Sequence, residues 1–256
     1  MILTIDAGNT ETVFGAFDGE RLLGAWRASS RSERTGDEMR LLVRSFLREK
    51  GLEPDALEAV AIASVVPPLT PVLRAAGERL GARTVVVDAS TPLPIRLDVD
   101  EPLSVGSDRI VNTLAAARLY ARDTIAVDLG TATSFDCITA DGTFIGGVIA
   151  PGVQTGAETL VRRTAKLPRV DLQPPPTVIG RRTESVLRSG IFFAAVDSVD
   201  GIVRRIREEW NRPDAFVVAT GGIAPLLAPH CATVQHVEPL LTLHGLRFAL
   251  EHLGKD

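Results

Sequence analysis

The chain has 256 residues, of which 45% are hydrophobic and 23% charged, and its formal net charge is -4 at pH 7. This composition fits an ordinary folded protein and excludes fibrous and disordered classes. The acidic balance argues against nucleic acid as a partner, and no apolar run reaches the roughly 18 residues that would indicate a membrane partner. The start, MILTIDAGNT, lacks the basic and apolar regions of a signal peptide, so we expect a cytoplasmic protein.

Short apolar runs alternate with helical patterns along the chain, which predicts an α/β fold. The predicted strands are ILTID, VAIAS, TVVVD, TIAVD and FVVAT. A helix is predicted from Asp37 to Lys50, where Thr35 and Glu38 form a capping box at its start. A second long helix is predicted from about Thr183 to Trp210.

The long helical pattern places small and branched side chains on one face, where Gly190 and the alanines would permit close helix packing. The members of this face are Leu187, Ile191, Ala194, Ala195, Ser198, Ile202 and Ile206. Ahead of this helix, the segment from Leu167 to Gly180 carries four prolines and is predicted to be a loop.

The most informative feature is an internal repeat. IDAGNTETVFGAFDGERLLGA from Ile5 matches VDLGTATSFDCITADGTFIGG from Val127. Each copy has the pattern of a strand, an Asp-x-Gly turn, a second strand, an Asp-Gly hairpin turn and a third strand. We therefore predict two duplicated domains, residues 1–117 and 118–256, with a cleft between the copies.

The repeated Asp-x-Gly turns have the composition of a phosphate-binding loop. Glycine lets backbone N–H groups approach an anion, and Asp6 can hold a hydrated Mg²⁺ ion. Neutral donors that suit phosphate oxygens are Asn9, Thr10, Thr12, Thr131 and Thr133. One copy alone would indicate only a hairpin turn, whereas two copies favour nucleotide phosphate binding.

A third candidate lies in VGSDRIVN, where Asp108 and Arg109 follow a Gly-Ser turn and precede an Ala-rich helical run. An aspartate at such a position is commonly a helix cap. Arg109 beside it offers a rigid fork for a carboxylate or phosphate, which favours a binding or catalytic role. From the residues alone both interpretations stay open. The strings typical of P-loop, dinucleotide and zinc peptidase sites are absent from the sequence.

Over nearly its whole length the sequence resembles the type III pantothenate kinases of the acetate and sugar kinase, chaperone ATPase and actin superfamily. The motifs that carry the resemblance are IDAGNT at Ile5, RTGDE at Arg34, SVVPP at Ser64, VGSDRIVN at Val105, DLGTATSFD at Asp128, GGVIAPG at Gly146, the segment from Thr183 to Gly190, ATGGIA at Ala219 and LLTLHGLR at Leu240. The resemblance implies two actin-like (ribonuclease H-like) domains with a nucleotide cleft between them. It also implies ATP-dependent phosphorylation of pantothenate to 4'-phosphopantothenate, the first step of coenzyme A synthesis, by a homodimer that needs Mg²⁺ and a monovalent cation, K⁺ or NH₄⁺.

Carried over by position, the resemblance also implies residue roles. Asp108 would accept the proton, Asp128 would bind potassium, and Asp6 would bind magnesium through water. The first phosphate loop would comprise Asp6, Ala7, Gly8, Asn9, Thr10, Glu11, Thr12 and Val13, with Thr131 as an ATP contact in the second. The pantothenate site would comprise Gly106, Ser107, Asp108, Arg109 and Thr183. The long helix that begins near Thr183 is a candidate dimer face.

One position departs from the family pattern, because Val99 stands where the family has a tyrosine ahead of Gly-x-Asp-Arg. The missing ring and hydroxyl would be worth about 1 to 2 kcal/mol to a ligand, so weaker pantothenate binding or a different ligand is expected. Two alternatives follow: a non-catalytic, ligand-sensing relative, or a kinase of the same superfamily acting on another small hydroxylated acid. Retention of Asp6, Asp108 and Asp128 favours the enzyme.

Overall fold

The computed structural model describes residues 1–30 and 33–254 of the chain. They form two compact units. The first unit comprises Met1–Leu119, Gly142–Phe144 and the chain from Leu241 onward, and the second comprises Tyr120–Asp141 and Ile145–Leu240. Each unit contains one β-sheet with helices packed against it, as the predicted α/β class requires.

Strands and helices follow one another along the chain much as the sequence predicts. The strands are β1 (Ile2–Ala7), β2 (Glu11–Asp18), β3 (Arg21–Ser29), β4 (Ala59–Ser64), β5 (Arg83–Val87), β6 (Arg96–Leu97), β7 (Thr124–Leu129), β8 (Ala132–Ile138), β9 (Thr143–Pro151), β10 (Phe216–Thr220) and β11 (His236–Val237). The helices are α1 (Gly36–Glu49), α2 (Thr70–Arg79), α3 (Ser107–Tyr120), α4 (Val153–Arg163), α5 (Thr183–Glu209), α6 (Ala224–Leu227) and α7 (Leu241–Leu253). Short 3-10 turns span Pro54–Ala56, Pro102–Ser104 and Ala228–His230.

The sheet of the first unit has the strand order β3-β2-β1-β4-β5, in which β1 pairs antiparallel with β2 and parallel with β4. Helix α1 begins with the predicted capping box, since Thr35 accepts from the N–H of Glu38 and the Glu38 carboxylate accepts from the N–H of Thr35. Its apolar face buries Met39, Val43 and Leu47 against this sheet, in the manner of an amphipathic helix.

The second unit repeats this plan. Its strands lie in the order β9-β8-β7-β10-β11, with β7 antiparallel to β8 and parallel to β10. The same strand order in both units confirms the duplication read from the sequence. Strand β6 pairs with Thr143 and Phe144 at the start of β9, which belong to the first unit.

The two Asp-x-Gly hairpins differ by one residue, although their sequences align without a gap up to the turn. Four residues separate the paired Ala7 and Thr12, whereas three separate the paired Leu129 and Thr133. In consequence Asp6 lies opposite Val13, but Asp128 lies opposite Ser134. The first turn is therefore the longer and more open of the two.

Helix α5 packs partly through the predicted face and partly through larger side chains. Of the predicted members Leu187 is buried, but Ala194 and Ser198 are exposed. The buried side chains are instead larger, and the core members among them are Phe192, Val196, Val199 and Val203. Ala194, Ala195 and Ser198 line a groove of about 310 Å³ beside α4, while Ile202 and Ile206 of the same face pack partly buried against the core.

Helix α7 packs on the first unit, although the sequence placed it in the domain that begins at residue 118. A Cβ atom on Gly15 of β2 would lie 2.8 Å from Leu243, and one on Gly245 would lie 2.0 Å from the carbonyl oxygen of Val111 in α3. These two glycines let α7 lie directly against the sheet and α3. In the described part of the chain, no helix has the length and apolar character needed to cross a membrane.

Candidate active site

The first phosphate turn lies at the C-terminal end of β1, immediately after Asp6. The N–H of Gly8 donates to the carbonyl oxygen of Glu11 at 3.0 Å, and this bond closes the turn between Ala7 and Thr12. Residues 9–11 are exposed, whereas Ala7 and Thr12 are buried. The tip of the turn therefore lies at the surface, where a phosphate group could reach it.

Ser30, which directly follows β3, holds this turn in shape. Its hydroxyl donates to the carbonyl oxygen of Gly8 at 2.6 Å, and its N–H donates to the carbonyl oxygen of Thr10 at 3.0 Å. Because that hydroxyl proton is used, the 2.9 Å bond to Thr12 has the Thr12 hydroxyl as its donor. Sequence reasoning missed Ser30, since only the β2–β3 pairing brings it back to the turn.

The second phosphate turn follows Asp128 at the end of β7 and is tighter. The N–H of Gly130 donates to the carbonyl oxygen of Ala132 at 3.0 Å. Thr131 is exposed at the tip. Thr133, which the sequence offered as a phosphate donor, is buried at the base of the turn.

The Asp128 carboxylate lies against a glycine of the ATGGIA motif. Gly221 has a φ of +92°, and a Cβ atom there would be 2.5 Å from Oδ1 of Asp128 and 2.7 Å from the carbonyl oxygen of Leu129. Carboxylate and main-chain carbonyl oxygens thus lie close together beside a backbone without a side chain. Such oxygen donors fit a hard cation, including a potassium ion.

The third loop leads into α3 and presents Asp108 in the first helical turn. Oδ1 of Asp108 accepts from the N–H of Arg109 at 2.8 Å. A Cβ atom on Gly106 would be only 2.5 Å from that oxygen, so glycine is needed for this carboxylate position. Burial raises the pKa of Asp108 above its ordinary value, although the Arg109 N–H and guanidinium oppose that shift.

Two neighbours of Asp108, Ser107 and Arg109, are also placed to contact a ligand. Ser107 is buried, and its hydroxyl has no hydrogen-bond partner among the described residues, so an oxygen of a bound ligand would satisfy it. The guanidinium carbon of Arg109 lies 4.9 Å from the ring centroid of Phe144, which holds the arginine by a cation–π contact. The contact of Phe144 with Arg109 was not predicted from the sequence, because Phe144 is placed by the pairing of β6 with β9.

Val65 connects the Asp108 loop to the first phosphate turn. Its N–H donates to the carbonyl oxygen of Ala7 at 3.1 Å, and its Cγ1 lies 3.6 Å from the position of a Cβ on Gly106. The first unit therefore brings together the turn after Asp6 and the loop with Asp108. Val65 belongs to the SVVPP motif that the sequence analysis quoted, but no role was predicted for it.

The other predicted site residues lie in the second unit. These are Asp128, Thr131 and Thr183, of which Thr183 is exposed as the first residue of α5. Among the described residues, no three His, Cys, Asp or Glu side chains form a cluster that could hold a metal ion. Asp6 and Asp128, each at a strand end beside an exposed turn, fit cations that take most of their other ligands from water and phosphate.

The architecture is a duplicated actin-like fold. A hexokinase of the ROK type from Thermus thermophilus has a TM-score of 0.52 at 14% identity and covers 100% of this chain and 99% of its own. A protein described as a Baf family transcriptional activator, from Campylobacter jejuni, has a TM-score of 0.61 at 18% identity and covers 99% of this chain and 100% of its own. At these identities the likeness shows the fold alone.

Sequence comparison gives the family. The sequence model of the type III pantothenate kinases matches residues 2–205. The type III pantothenate kinase of Thermobifida fusca is 45% identical over 98% of this chain and 99% of its own length. The chain belongs to the type III pantothenate kinase family.

Proposed function

We propose that this kinase transfers the terminal phosphoryl group of ATP to the primary hydroxyl of pantothenate, with Asp108 as the proton acceptor. The hydroxyl oxygen attacks the γ-phosphorus as its proton passes to the Asp108 carboxylate, and ADP leaves. The product, 4'-phosphopantothenate, enters coenzyme A synthesis. Family membership supports the substrate, and the loop from Gly106 to Arg109 supports the residue roles.

The observation that carries the proposal is the placement of Asp108. Its carboxylate is oriented by the N–H of Arg109 and by the absence of a side chain on Gly106. Because burial raises the pKa of Asp108, the ionised carboxylate is a stronger base than an ordinary aspartate. Ser107 and Arg109 beside it offer a hydroxyl and a guanidinium, which suit the hydroxyl and carboxylate groups of pantothenate.

The phosphates are assigned to the two hairpin turns. The exposed tips after Asp6 and Asp128, including Thr131, offer backbone and hydroxyl donors to phosphate oxygens. Asp6 would hold Mg²⁺ through water, and Asp128 would hold K⁺ or NH₄⁺. Such cations neutralise the charge that spreads over the phosphate oxygens during transfer. Turnover should fall when sodium replaces potassium, and equal rates in the two buffers would remove the monovalent site.

The test of the catalytic role is Asp108→Asn. The amide keeps the shape and can still accept from the N–H of Arg109, but it is not a base. Turnover should fall at least about 100-fold, while ATP affinity stays unchanged. Asp100→Asn, at an exposed position between β6 and α3, is the control and should keep full turnover. Near wild-type turnover in Asp108→Asn would remove Asp108 from the mechanism.

We also propose that the enzyme is a cytoplasmic homodimer that associates through the second unit. Helix α4 has no buried residue, and several large apolar side chains of the second unit are exposed. They are Ile149, Leu160, Val178, Ile179 and Val186. Large exposed apolar residues are typical of interaction surfaces where they form a patch.

Charged substitutions on this surface test the dimer. Ile179, at 83% exposure, is the most open of these residues, so Ile179→Asp should disrupt association without disturbing the core. Light scattering should give a dimer for wild type and a monomer for Ile179→Asp. Leu41→Asp, at an exposed apolar position on α1, is the control and should stay dimeric. A monomeric wild-type protein would refute this proposal.

A further inference from the structure

Helix α4 is attached to the second phosphate turn at its first residues. A Cβ atom on Gly152, the N-cap of α4, would lie 2.2 Å from the carbonyl oxygen of Thr131 and 2.6 Å from that of Gly130. The helix therefore begins in direct contact with the backbone of the turn. No residue of α4 is buried.

Thr155, in the first turn of α4, adds a directed bond to this contact. Its hydroxyl donates to the carbonyl oxygen of Thr131 at 2.8 Å, a good distance for a hydroxyl donor. Inside the turn, one main-chain bond from Gly130 to Ala132 closes the loop, and Thr131 lies exposed at its tip. The bond from Thr155 thus fixes the peptide group at the point of the turn that a phosphate would approach.

We infer that Thr155 is a positioning residue for ATP, which holds the peptide unit of Thr131 in the orientation that binds phosphate. This inference rests on the proposed role of Thr131 in ATP binding. Without the hydroxyl, the tip would sample more conformations, and binding of ATP would have to restrict them again. Preorganisation of this kind changes affinity without a direct contact to the ligand. The turn after Asp6 is held in a corresponding way by Ser30, which follows a strand and does not lie in a helix.

The alternative is that the Thr155 hydroxyl only stabilises the helix start. The two explanations differ in what they change. A purely structural role would lower the melting temperature of a variant and leave ATP affinity as it was. A positioning role changes ATP affinity and leaves the pantothenate KM unchanged.

Thr155→Val tests this, because valine keeps the branched shape and removes the hydroxyl. Titration calorimetry with Mg-ATP, in the absence of any acceptor, should show a Kd about two- to tenfold higher than that of wild type. Thr155→Ser keeps the hydroxyl and should bind like wild type. Thr159→Val is the matched control, since Thr159 lies one turn further along the same helix and its hydroxyl accepts a 3.4 Å contact from Arg162.

An unchanged Kd for Thr155→Val would overturn the inference. So would an equal weakening in Thr159→Val, because the effect would then belong to the helix and not to the bond with Thr131. Phosphorylation of pantothenate by the wild-type enzyme is measured separately. If wild type binds ATP but does not phosphorylate pantothenate, the proposed function fails while the comparison of ATP affinities remains valid.

Discussion

Gly106→Ala should lower turnover by displacing the carboxylate of Asp108, whose chemical identity the substitution leaves unchanged. The added methyl carbon would lie 2.5 Å from Oδ1 of Asp108, about 1 Å inside ordinary van der Waals contact. Gly106 is not among the residues with positive φ, so alanine can adopt the backbone conformation. The carboxylate must therefore rotate away, and its 2.8 Å bond with the N–H of Arg109 is lost.

A displacement of about 1 Å in a catalytic group commonly costs about 100-fold in rate, which corresponds to about 2.7 kcal/mol in the activation free energy. We expect kcat of Gly106→Ala to fall by about this factor. ATP affinity should stay within about twofold, since the phosphate turns are not altered. Thermal unfolding should change little, because alanine also restricts the unfolded chain.

A double-mutant cycle shows whether the loss passes through Asp108. Steady-state turnover is measured by coupled ADP release for wild type, both single variants and the double variant with Asp108→Asn. Because the base is already absent in the Asp108→Asn background, Gly106→Ala should cost less than about threefold there. If Gly106→Ala costs the same factor in both backgrounds, the methyl group acts on something other than Asp108 and the reasoning is wrong.

Further predictions concern Asp108 and Val99. Burial raises the pKa of Asp108 above 3.8, so the folded state loses stability as pH rises from that value through the raised pKa. Asp108→Asn should therefore melt at a higher temperature than wild type at pH 7, by about 2 to 4 °C for each kcal/mol added to the free energy of unfolding. The difference should vanish below pH 3.8. A lower melting temperature of the variant at pH 7 would contradict the burial argument. The kcat of wild type should fall on the acid side with an apparent pKa above 3.8, and a profile that stays flat through the acid range would count against Asp108 as the base. Val99→Tyr should lower the KM for pantothenate about 5- to 30-fold, as 1 to 2 kcal/mol requires, with no change in the KM for ATP; an unchanged pantothenate KM would show that the position does not face the substrate.

The local elements could be predicted from sequence because their signals are local. The alternation of strands and helices, the capping box at Thr35 and the two Asp-Gly turns each depend on a few neighbouring residues, and all are present in the structure. The strand order of the two sheets also confirms the repeat. These patterns were sufficient for the fold class and for the motifs around Asp6, Asp108 and Asp128.

Features that depend on long-range packing could not be predicted. Phe192, Val196, Val199 and Val203 of α5 lie in the core of the second unit, and the sequence did not single them out. The position of α7 depends on Gly15 and Gly245, whose missing side chains matter only once the partners are in place. Ser30 and Phe144 likewise gain their roles from strand pairing.

Identification of the product tests the central claim most directly. Purified enzyme, Mg-ATP and a potassium buffer are incubated with pantothenate or with each of a panel of other small hydroxylated acids, and the products are identified by mass spectrometry. The account predicts ATP-dependent formation of 4'-phosphopantothenate, a higher kcat/KM for pantothenate than for any other acceptor, and loss of nearly all product with Asp108→Asn. Efficient phosphorylation of a different acid in preference to pantothenate, or ATP binding with no phosphorylated product, would contradict it.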